Sequence, residues 1–334
     1  MTDPVLVEVS RGHNVESAHR GAAVVCDALG KIVMSFGDID RPVFPRSAVK
    51  SIQALPLVES GAADALGFSA RELALACASH SGEPVHVETA KGILSKVGLD
   101  NGALECGAHW PSSRNAMLDL AREGGAPLAL HNNCSGKHGG FVCLCCHSGV
   151  DHNGYVKADH WLQETIRGVL EEVTGAAHGE ANRGTDGCAI PTYAVPLKSL
   201  ARGFARMTSG QGLGAERAKA AKRLMDACMA EPLMVSGRDM MDLKLMQAAQ
   251  GRIFVKTGAE GVYCAAVPEL GLGVAVKCLD GATRGAEVVV AAILAKLFAD
   301  DGEVAGKLNA LSAATLTNWN GTEVGMLRPS AALA

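Results

Sequence analysis

The most informative residues of this sequence are Ser47-Ala48-Val49-Lys50 near the start and Lys256-Thr257-Gly258 near the end. On a helix, a spacing of three residues places the Ser47 hydroxyl and the Lys50 amine on one face, where the amine can take the proton of the hydroxyl. A Lys-Thr-Gly on a strand can bring a second amine to that pair, and its glycine lets the backbone approach closely. Ser-x-x-Lys often occurs by chance, so the order of the surrounding elements has to decide what the two motifs mean.

Strands precede the first motif and helices follow it. Apolar runs predict strands over 6–9, 22–26 and 31–36, and the last two form a hairpin through a turn at 27–30. The segment from Ser47 to about Ser60 has the apolar period of a helix, with Pro56 as a break. The region from 69 to about 228 is predicted to be almost wholly helical, with helix starts at Ser69, Pro84, Ser113, Pro191 and Ala215.

After Gly251 the pattern returns to strands, over 252–256, 261–267 and 273–278, and a closing helix is predicted over 283–298. This order predicts an α+β fold, in which one antiparallel sheet is built from both chain ends, is flanked by helices and carries an inserted helical subdomain. The sheet-containing part would comprise residues 1–60 and 250–334, and the mainly helical part residues 61–249. Together they would form one catalytic unit.

Composition narrows the classes of partner. The chain has 334 residues, 48% of them hydrophobic, and a net charge of −4, with no basic stripe for nucleic acid and no apolar run that would span a membrane. A small polar molecule is therefore the expected partner. No signal peptide is visible at the first residues, so the cytoplasm is the expected compartment, and the eleven cysteines are expected as thiols or metal ligands.

Six blocks spread along the chain carry a resemblance to a known family. They are Val15-Glu16-Ser17-Ala18-His19-Arg20-Gly21, Arg46-Ser47-Ala48-Val49-Lys50-Ser51, Ala78-Ser79-His80-Ser81-Gly82-Glu83, Asn132-Asn133-Cys134-Ser135-Gly136-Lys137-His138, Thr185-Asp186-Gly187-Cys188 and Lys256-Thr257-Gly258. The chain resembles the Rhizobium-type (class 3) L-asparaginases, and its order of elements resembles the serine β-lactamase and glutaminase fold. The resemblance implies hydrolysis of L-asparagine to L-aspartate and ammonia by a homodimer.

The resemblance also implies two Ser–Lys tandems, Ser47 with Lys50 and Ser79 with Lys256. Amide hydrolysis needs a nucleophile and a base that later protonates ammonia, and a neutral Lys50 can be that base. Either serine could be acylated, and Ser47 is favoured because its base lies three residues away. Arg46, His138 and Asp186 are expected either to bind the charged groups of the substrate or to contact and orient the residues that do.

A second constellation has the chemistry of a metal site. At the start of a helix Cys134 and Lys137 share a face, and Cys188 could meet them from a loop, so that two thiolates and a nitrogen would suit zinc. Buried cysteines that serve only packing are the alternative. The resemblance favours zinc, because that family binds Zn²⁺ through two cysteines and a lysine that match these positions. The metal is expected to help bind the substrate rather than to generate the nucleophile.

Other functions stay open at this point. A glutaminase or another β-lactamase-like serine amidohydrolase would use the same serine and lysine, although Ser79 lies too soon after Ser47 for the usual β-lactamase arrangement. A zinc-binding sensor without turnover would keep the metal set and have no need of a nucleophile. The asparaginase hypothesis predicts a near-complete loss of hydrolysis in Ser47→Ala. The sensor hypothesis predicts that this substitution leaves the function of the protein intact.

Overall fold

The computed structural model describes residues 3–333. The strands are β1 Val5–Arg11, β2 Asn14–Asp27, β3 Ile32–Phe36, β4 Pro42–Val43, β5 Arg183–Thr185, β6 Pro191–Tyr193, β7 Val195–Pro196, β8 Phe254–Thr257, β9 Val262–Val267, β10 Leu272–Cys278, β11 Ala314–Thr317 and β12 Glu323–Pro329. The α-helices are α1 Lys50–Gln53, α2 Leu55–Glu59, α3 Ala62–Ala65, α4 Ala70–Ala76, α5 Pro84–Ser95, α6 Arg114–Arg122, α7 Ser135–His147, α8 Trp161–Thr174, α9 Leu197–Ser209, α10 Ala215–Ala230, α11 Pro232–Val235, α12 Met241–Ala248, α13 Thr283–Leu297 and α14 Gly302–Leu311.

One antiparallel sheet joins the two ends of the chain. In the described residues it has eight strands, in the order β11-β12-β1-β2-β10-β9-β8, with β3 paired to β2. The early strand β1 pairs with the late strand β12, so that Val7 lies opposite Pro329 and Val9 opposite Leu327. The prediction of an α+β fold with a sheet built from both chain ends is therefore confirmed.

Helices cover the middle of this sheet on both faces. All six residues of β9 are buried, and successive strand residues point to opposite faces, so both faces must be covered. Helices α9 and α13 both pack on β9 and β10. Gly273 of β10 brings α9 close, since a β-carbon there would lie 2.0 Å from the carbonyl oxygen of Ala201. The resulting rigid platform holds the strand that carries Lys256.

The chain divides into two units. The first contains residues 3–48, 195–209 and 244–333, with the main sheet and helices α9, α13 and α14. The second contains residues 49–194 and 210–243, and it is mainly helical, with the hairpin β5–β6. The sequence placed the boundaries at residues 60 and 250. In the structure residues 195–209 belong to the unit with the sheet because α9, a strongly amphipathic helix, buries its apolar face on the sheet.

Two local predictions are wrong. Pro191 starts the strand β6 and not a helix, because the chain turns back through Ala189, whose φ is 73°, and continues in the strand-favouring Thr192 and Tyr193. The helix α13 does not close the chain, since α14, β11 and β12 follow it. Of the eleven residues in these last two strands only Leu327 is buried, so they lack the alternation of buried and exposed positions that signals a strand. The break at Pro56 is confirmed, because α2 begins beside it.

All eleven cysteines are free thiols, and ten of them are buried. Cys143 and Cys145 lie inside α7, where burial raises the pKa of each thiol to about 12. These thiols are therefore protonated at neutral pH and serve packing. Within residues 3–333, no helix combines the length and apolar character needed to cross a membrane.

Candidate active site

Lys50 is the centre of a buried polar cluster in the second unit. It is the first residue of α1, and only 1% of its surface is exposed. Its Nζ lies 2.6 Å from the carbonyl oxygen of Ala78, 2.9 Å from Ser79 Oγ and 3.5 Å from the carbonyl oxygen of Asn133. A neutral amine could donate two hydrogens to the carbonyls and accept the hydroxyl proton of Ser79 with its lone pair. The cluster can therefore move a proton between a serine and a lysine.

The segment that carries Ser79 is held from several sides. The Ser79 N–H donates to the carbonyl oxygen of Val235 at 2.9 Å, and the His80 N–H donates to that of Asn133 at 3.2 Å. His80 Nδ1 accepts from the Gly82 N–H, so its Nε2 carries the hydrogen and donates to Ser135 Oγ at 2.8 Å. The pKa of His80 lies well below its usual range because of burial and then of the charges on His86 and Lys50. The neutral His80 side chain thus links this segment to α7 by a hydrogen bond.

Arg46, Ser47 and Lys256 belong to the first unit. Arg46 has a φ of 52°, so the backbone is strained next to the half-buried Ser47. A β-carbon on Gly258 would lie 2.5 Å from the carbonyl oxygen of Pro45, so only glycine lets the Lys-Thr-Gly strand end pack against this turn. Lys256 is completely buried, and its Nζ donates to the carbonyl oxygen of Thr257 at 2.9 Å. Within the first unit, the turn that carries Ser47 and the Lys-Thr-Gly segment are therefore neighbours in space.

The structure brings together the three residues predicted to bind metal. Cys134 is the N-cap of α7, Lys137 lies in the first turn of that helix, and Cys188 lies in the loop between β5 and β6. Their exposed fractions are 5%, 2% and 4%, and Lys137 Nζ lies 3.1 Å from Cys188 Sγ. Within residues 3–333 no three His, Cys, Asp or Glu side chains form a metal-binding group, and this set has only two such residues beside its lysine.

Electrostatics favour a thiolate in this set. A hydrogen bond from Cys188 holds the pKa of Cys134 well below its usual range, against the effect of burial and with help from the charges of Lys50 and Lys137. The same hydrogen bond, and then burial, raise the pKa of Cys188. Burial opposes the charged form of Lys137, but Cys188 and Cys134 together raise its pKa. The two sulfurs and the amine therefore share protons, and their soft sulfur and nitrogen donors fit zinc.

A closed turn presents Cys188 to this set. The Asp186 N–H donates to the carbonyl oxygen of Ile190 at 2.9 Å, and Asp186 Oδ1 accepts from the Gly187 N–H at 2.7 Å. The positive φ of Ala189 completes the reversal of the chain. Asp186 is half-buried, and its charge helps to raise the pKa of Lys137. The carboxylate therefore lies near the cations of the second unit.

Sequence reasoning missed three residues around the cluster. Tyr155 is fully buried and its Oη lies 2.7 Å from His138 Nδ1. Glu83 is also buried, and it accepts hydrogen bonds from Ser81 Oγ at 2.8 Å and from Arg238 Nε at 2.9 Å, which fixes the turn after Ser79. Glu83 belongs to one of the six sequence blocks that carry the family resemblance, but the sequence predicted no role for it. Tyr155 and Arg238 gave no local signal, because their partners lie far away along the chain.

Comparisons with known proteins agree with the predicted family. The chain matches the family described as L-asparaginase II over residues 7–329. Among solved structures it is similar to a β-lactamase from Mycobacterium bovis, with 14% identity and a TM-score of 0.40 over 84% of this chain and 94% of that chain. No curated protein matches it significantly. Because the family match spans nearly the whole sequence, this chain belongs to the L-asparaginase II family.

Proposed function

We propose that this protein is an L-asparagine amidohydrolase that works through an acyl-enzyme on a serine. The observation that carries the proposal is the buried Lys50, three residues after Ser47 and 2.9 Å from Ser79 Oγ, in a chain of the L-asparaginase II family. A buried lysine beside a hydroxyl is the arrangement in which an amine serves as a general base.

The reaction has two halves. Ser47 Oγ attacks the side-chain carboxamide carbon of asparagine while Lys50 Nζ takes its proton, and the tetrahedral intermediate then breaks its C–N bond as that proton passes to the leaving ammonia. Water next attacks the aspartyl ester, a lysine takes its proton, and L-aspartate leaves as Ser47 recovers its hydrogen. Ser79 and Lys256 would relay protons in both halves. Arg46, His138 and Asp186 would bind the charged groups of the substrate.

Zinc is part of the proposal. Cys134, Lys137 and Cys188 would hold Zn²⁺, and the bound metal would supply positive charge that helps to bind the substrate. Both sulfurs must lose their protons to bind it, so zinc affinity should fall as the pH drops. We expect about one zinc per chain in the purified protein by elemental analysis, and its loss in Cys188→Ser. An unchanged zinc content in that variant would remove Cys188 from the ligand set.

Ammonia release tests the activity. We expect faster release from L-asparagine than from L-glutamine, and a loss of roughly 10²-fold or more in Lys50→Met, since a positioned base contributes about 10² to 10⁴ in rate. Equal rates with the two amino acids would make the enzyme a general amidohydrolase or glutaminase. Mass spectrometry of the quenched enzyme should find the aspartyl group on Ser47. An aspartyl group on Ser79 would move the nucleophile to the residue that lies beside Lys50 in the structure.

A zinc sensor without turnover is the rival from another class. It predicts no ammonia from any carboxamide and unchanged metal binding in Ser47→Ala. The homodimer and the cytoplasmic location remain predictions, and light scattering of the purified protein would test the first.

A further inference from the structure

One ring nitrogen of His138 has a hydrogen-bond partner and the other has none among the described residues. The side chain is completely buried on α7, and its Nδ1 lies 2.7 Å from Tyr155 Oη. Its Nε2 is also buried and has no hydrogen-bond partner among residues 3–333. A buried polar atom without a partner is unusual in a folded protein and calls for an explanation, such as a ligand that is bound during function.

The tautomer of His138 follows from the other contact of Tyr155. Tyr155 Oη accepts a hydrogen bond from the Glu105 N–H at 2.9 Å. Burial raises the pKa of Tyr155, so the phenol keeps its single hydrogen and must donate it to His138 Nδ1. A protonated ring would carry a hydrogen on Nδ1 and leave the buried phenol hydrogen without its acceptor, so the ring carries a single hydrogen. Its one hydrogen therefore sits on Nε2, and the unsatisfied atom is a donor.

Tyr155 is fixed by its own contacts, so it can determine the tautomer of His138. Its carbonyl oxygen accepts from Gln163 Nε2 at 2.8 Å, and Glu105 Oε1 accepts from the Gly154 N–H at 2.7 Å. Its ring contacts both His138 and Phe141 edge-on. Glu105 therefore bonds both the Tyr155 hydroxyl and the residue before Tyr155, while Gln163 holds the Tyr155 backbone, and His138 cannot reverse its tautomer without breaking the bond to this fixed phenol.

The chemistry of the free N–H donor decides what it can bind. A histidine Nε2–H can donate to an oxygen but cannot accept from an ammonium group. Asparagine carries one anionic group, its α-carboxylate, and one cationic group, its α-ammonium.

We propose that Tyr155 is a positioning residue that fixes His138 as an Nε2–H donor for a carboxylate oxygen of the substrate. This assignment rests on the proposed function, and it divides the two charged groups of asparagine between two residues. His138 binds the α-carboxylate and Asp186, an anion, is left to bind the α-ammonium. The site would thus select carboxamides that carry a carboxylate at the α-position.

Three substrates separate these roles. L-Asparagine has both charged groups, succinamate lacks the ammonium, and β-alaninamide lacks the carboxylate. In Tyr155→Phe we expect kcat/KM to fall about tenfold or more for L-asparagine and succinamate, mainly through KM, and less than about twofold for β-alaninamide, since one charge-assisted hydrogen bond is lost. Where turnover is too slow, the same compounds serve as competitive inhibitors. An equal loss for all three compounds would overturn the proposal.

Tyr193→Phe is the matched control. It removes a hydroxyl from another buried tyrosine of the second unit, one that contacts His178 and not His138. We expect the Tyr193→Phe variant to rank the three compounds by kcat/KM in the same order as the unsubstituted enzyme. A change of preference in Tyr193→Phe as large as in Tyr155→Phe would show that the effect is one of packing alone.

Nitrogen NMR of the histidine rings tests the tautomer without turnover. The signals of His138, identified by their absence in His138→Gln, should show hydrogen on Nε2 in the unsubstituted protein and a mixed or reversed tautomer in Tyr155→Phe. Succinate should shift the Nε2 signal. Hydrogen on Nδ1, or no response to succinate, would overturn the inference. If these results hold while no carboxamide is hydrolysed, the proposed function alone has failed.

Discussion

At the scale of single residues, the groups that would carry the proposed chemistry are both buried and hydrogen-bonded. Lys50, His80 and Lys137 are all almost fully enclosed, yet each has polar partners within hydrogen-bond distance. Burial without partners would be strongly unfavourable for such groups. The cluster is therefore a network in which the loss of one member leaves the others unsatisfied.

His80 gives this protein a measurable dependence of stability on pH. Its pKa is lowered on folding, so the unfolded chain binds a proton below about pH 6.5 that the folded chain excludes. Stability present above that pH should therefore be lost as the pH falls, by up to about 1.4 kcal/mol per pH unit for each such histidine. We expect urea unfolding at pH 7.5, 6 and 5 to show a smaller pH dependence in His80→Gln.

His138, whose pKa is also lowered by burial, contributes to the same loss and should keep part of the dependence in that variant. His13→Gln, at an exposed position, is the control and should follow the unsubstituted protein. If His80→Gln lost stability with the same slope as the unsubstituted protein, the neutral state of His80 would be wrong.

Residue spacing could predict only part of the site. The spacing of Ser47 to Lys50 and of Cys134 to Lys137 is local, so helix geometry alone predicts that the two members of each pair share a face. The hydrogen bond of Lys50 with Ser79, and that of His138 with Tyr155, join distant segments, and no local pattern encodes them. The resemblance to a family found Ser79 and Cys188, but it assigned no role to Tyr155.

At the scale of elements, the close packing of α4 and α7 explains the glycine at position 136, between Cys134 and Lys137. A β-carbon on Gly136 would lie 2.4 Å from the carbonyl oxygen of Leu75, which is in α4. The two helices can approach only because this position has no side chain. The glycine therefore sets the distance between the Ser79 segment, which follows α4, and the turn of α7 that carries Cys134 and Lys137.

Alanine scanning at two helical glycines tests this packing. We expect Gly136→Ala to lower the free energy of unfolding by about 1–3 kcal/mol, because the added methyl group has to push α4 away. Gly168→Ala, inside α8 with no atom within 4 Å of the added β-carbon, should raise it by up to about 1 kcal/mol. Urea unfolding gives both values. Equal effects at the two positions would mean that α4 and α7 are less tightly packed than the structure shows.

The sequence predicted helix boundaries correctly where a single capping residue or proline determines them. Ser69 and Glu72 form the predicted capping box of α4, Ser113 caps α6, and Pro84 begins α5. The prediction failed at Pro191, because proline is equally compatible with the first residue of a strand. It also missed β11 and β12, of which β12 pairs with the distant strand β1 and β11 pairs with β12.

At the scale of the whole molecule, the pairing of the two chain ends makes a circular permutation possible. The Ser330 N–H donates to the carbonyl oxygen of Leu6 at 2.9 Å, and Ser330 Oγ donates to that of Val5 at 2.6 Å. We expect a permutant whose natural ends are joined by a short glycine-serine linker, and whose chain is opened between Gly124 and Gly125, to fold cooperatively. Gly124 is in an exposed turn, where new termini break little structure.

A second permutant, opened between Cys264 and Ala265 in the buried strand β9, is the matched comparison and should fail to fold. Circular dichroism and thermal melting distinguish the two outcomes. Failure of the first permutant with a linker of several lengths would contradict the close approach of the ends.

The pairing of β1 with β12 also has a consequence for the order of events on the ribosome. Synthesis begins at the amino end, so β1 emerges first and β12 last, and the sheet lacks β8 to β12 until the final quarter of the chain is made. All residues of the helical unit have been translated by position 243. The nascent chain can therefore assemble the unit that contains Lys50, Ser79, Cys134 and Cys188 while β1 still lacks its partner β12 and β2 its partner β10.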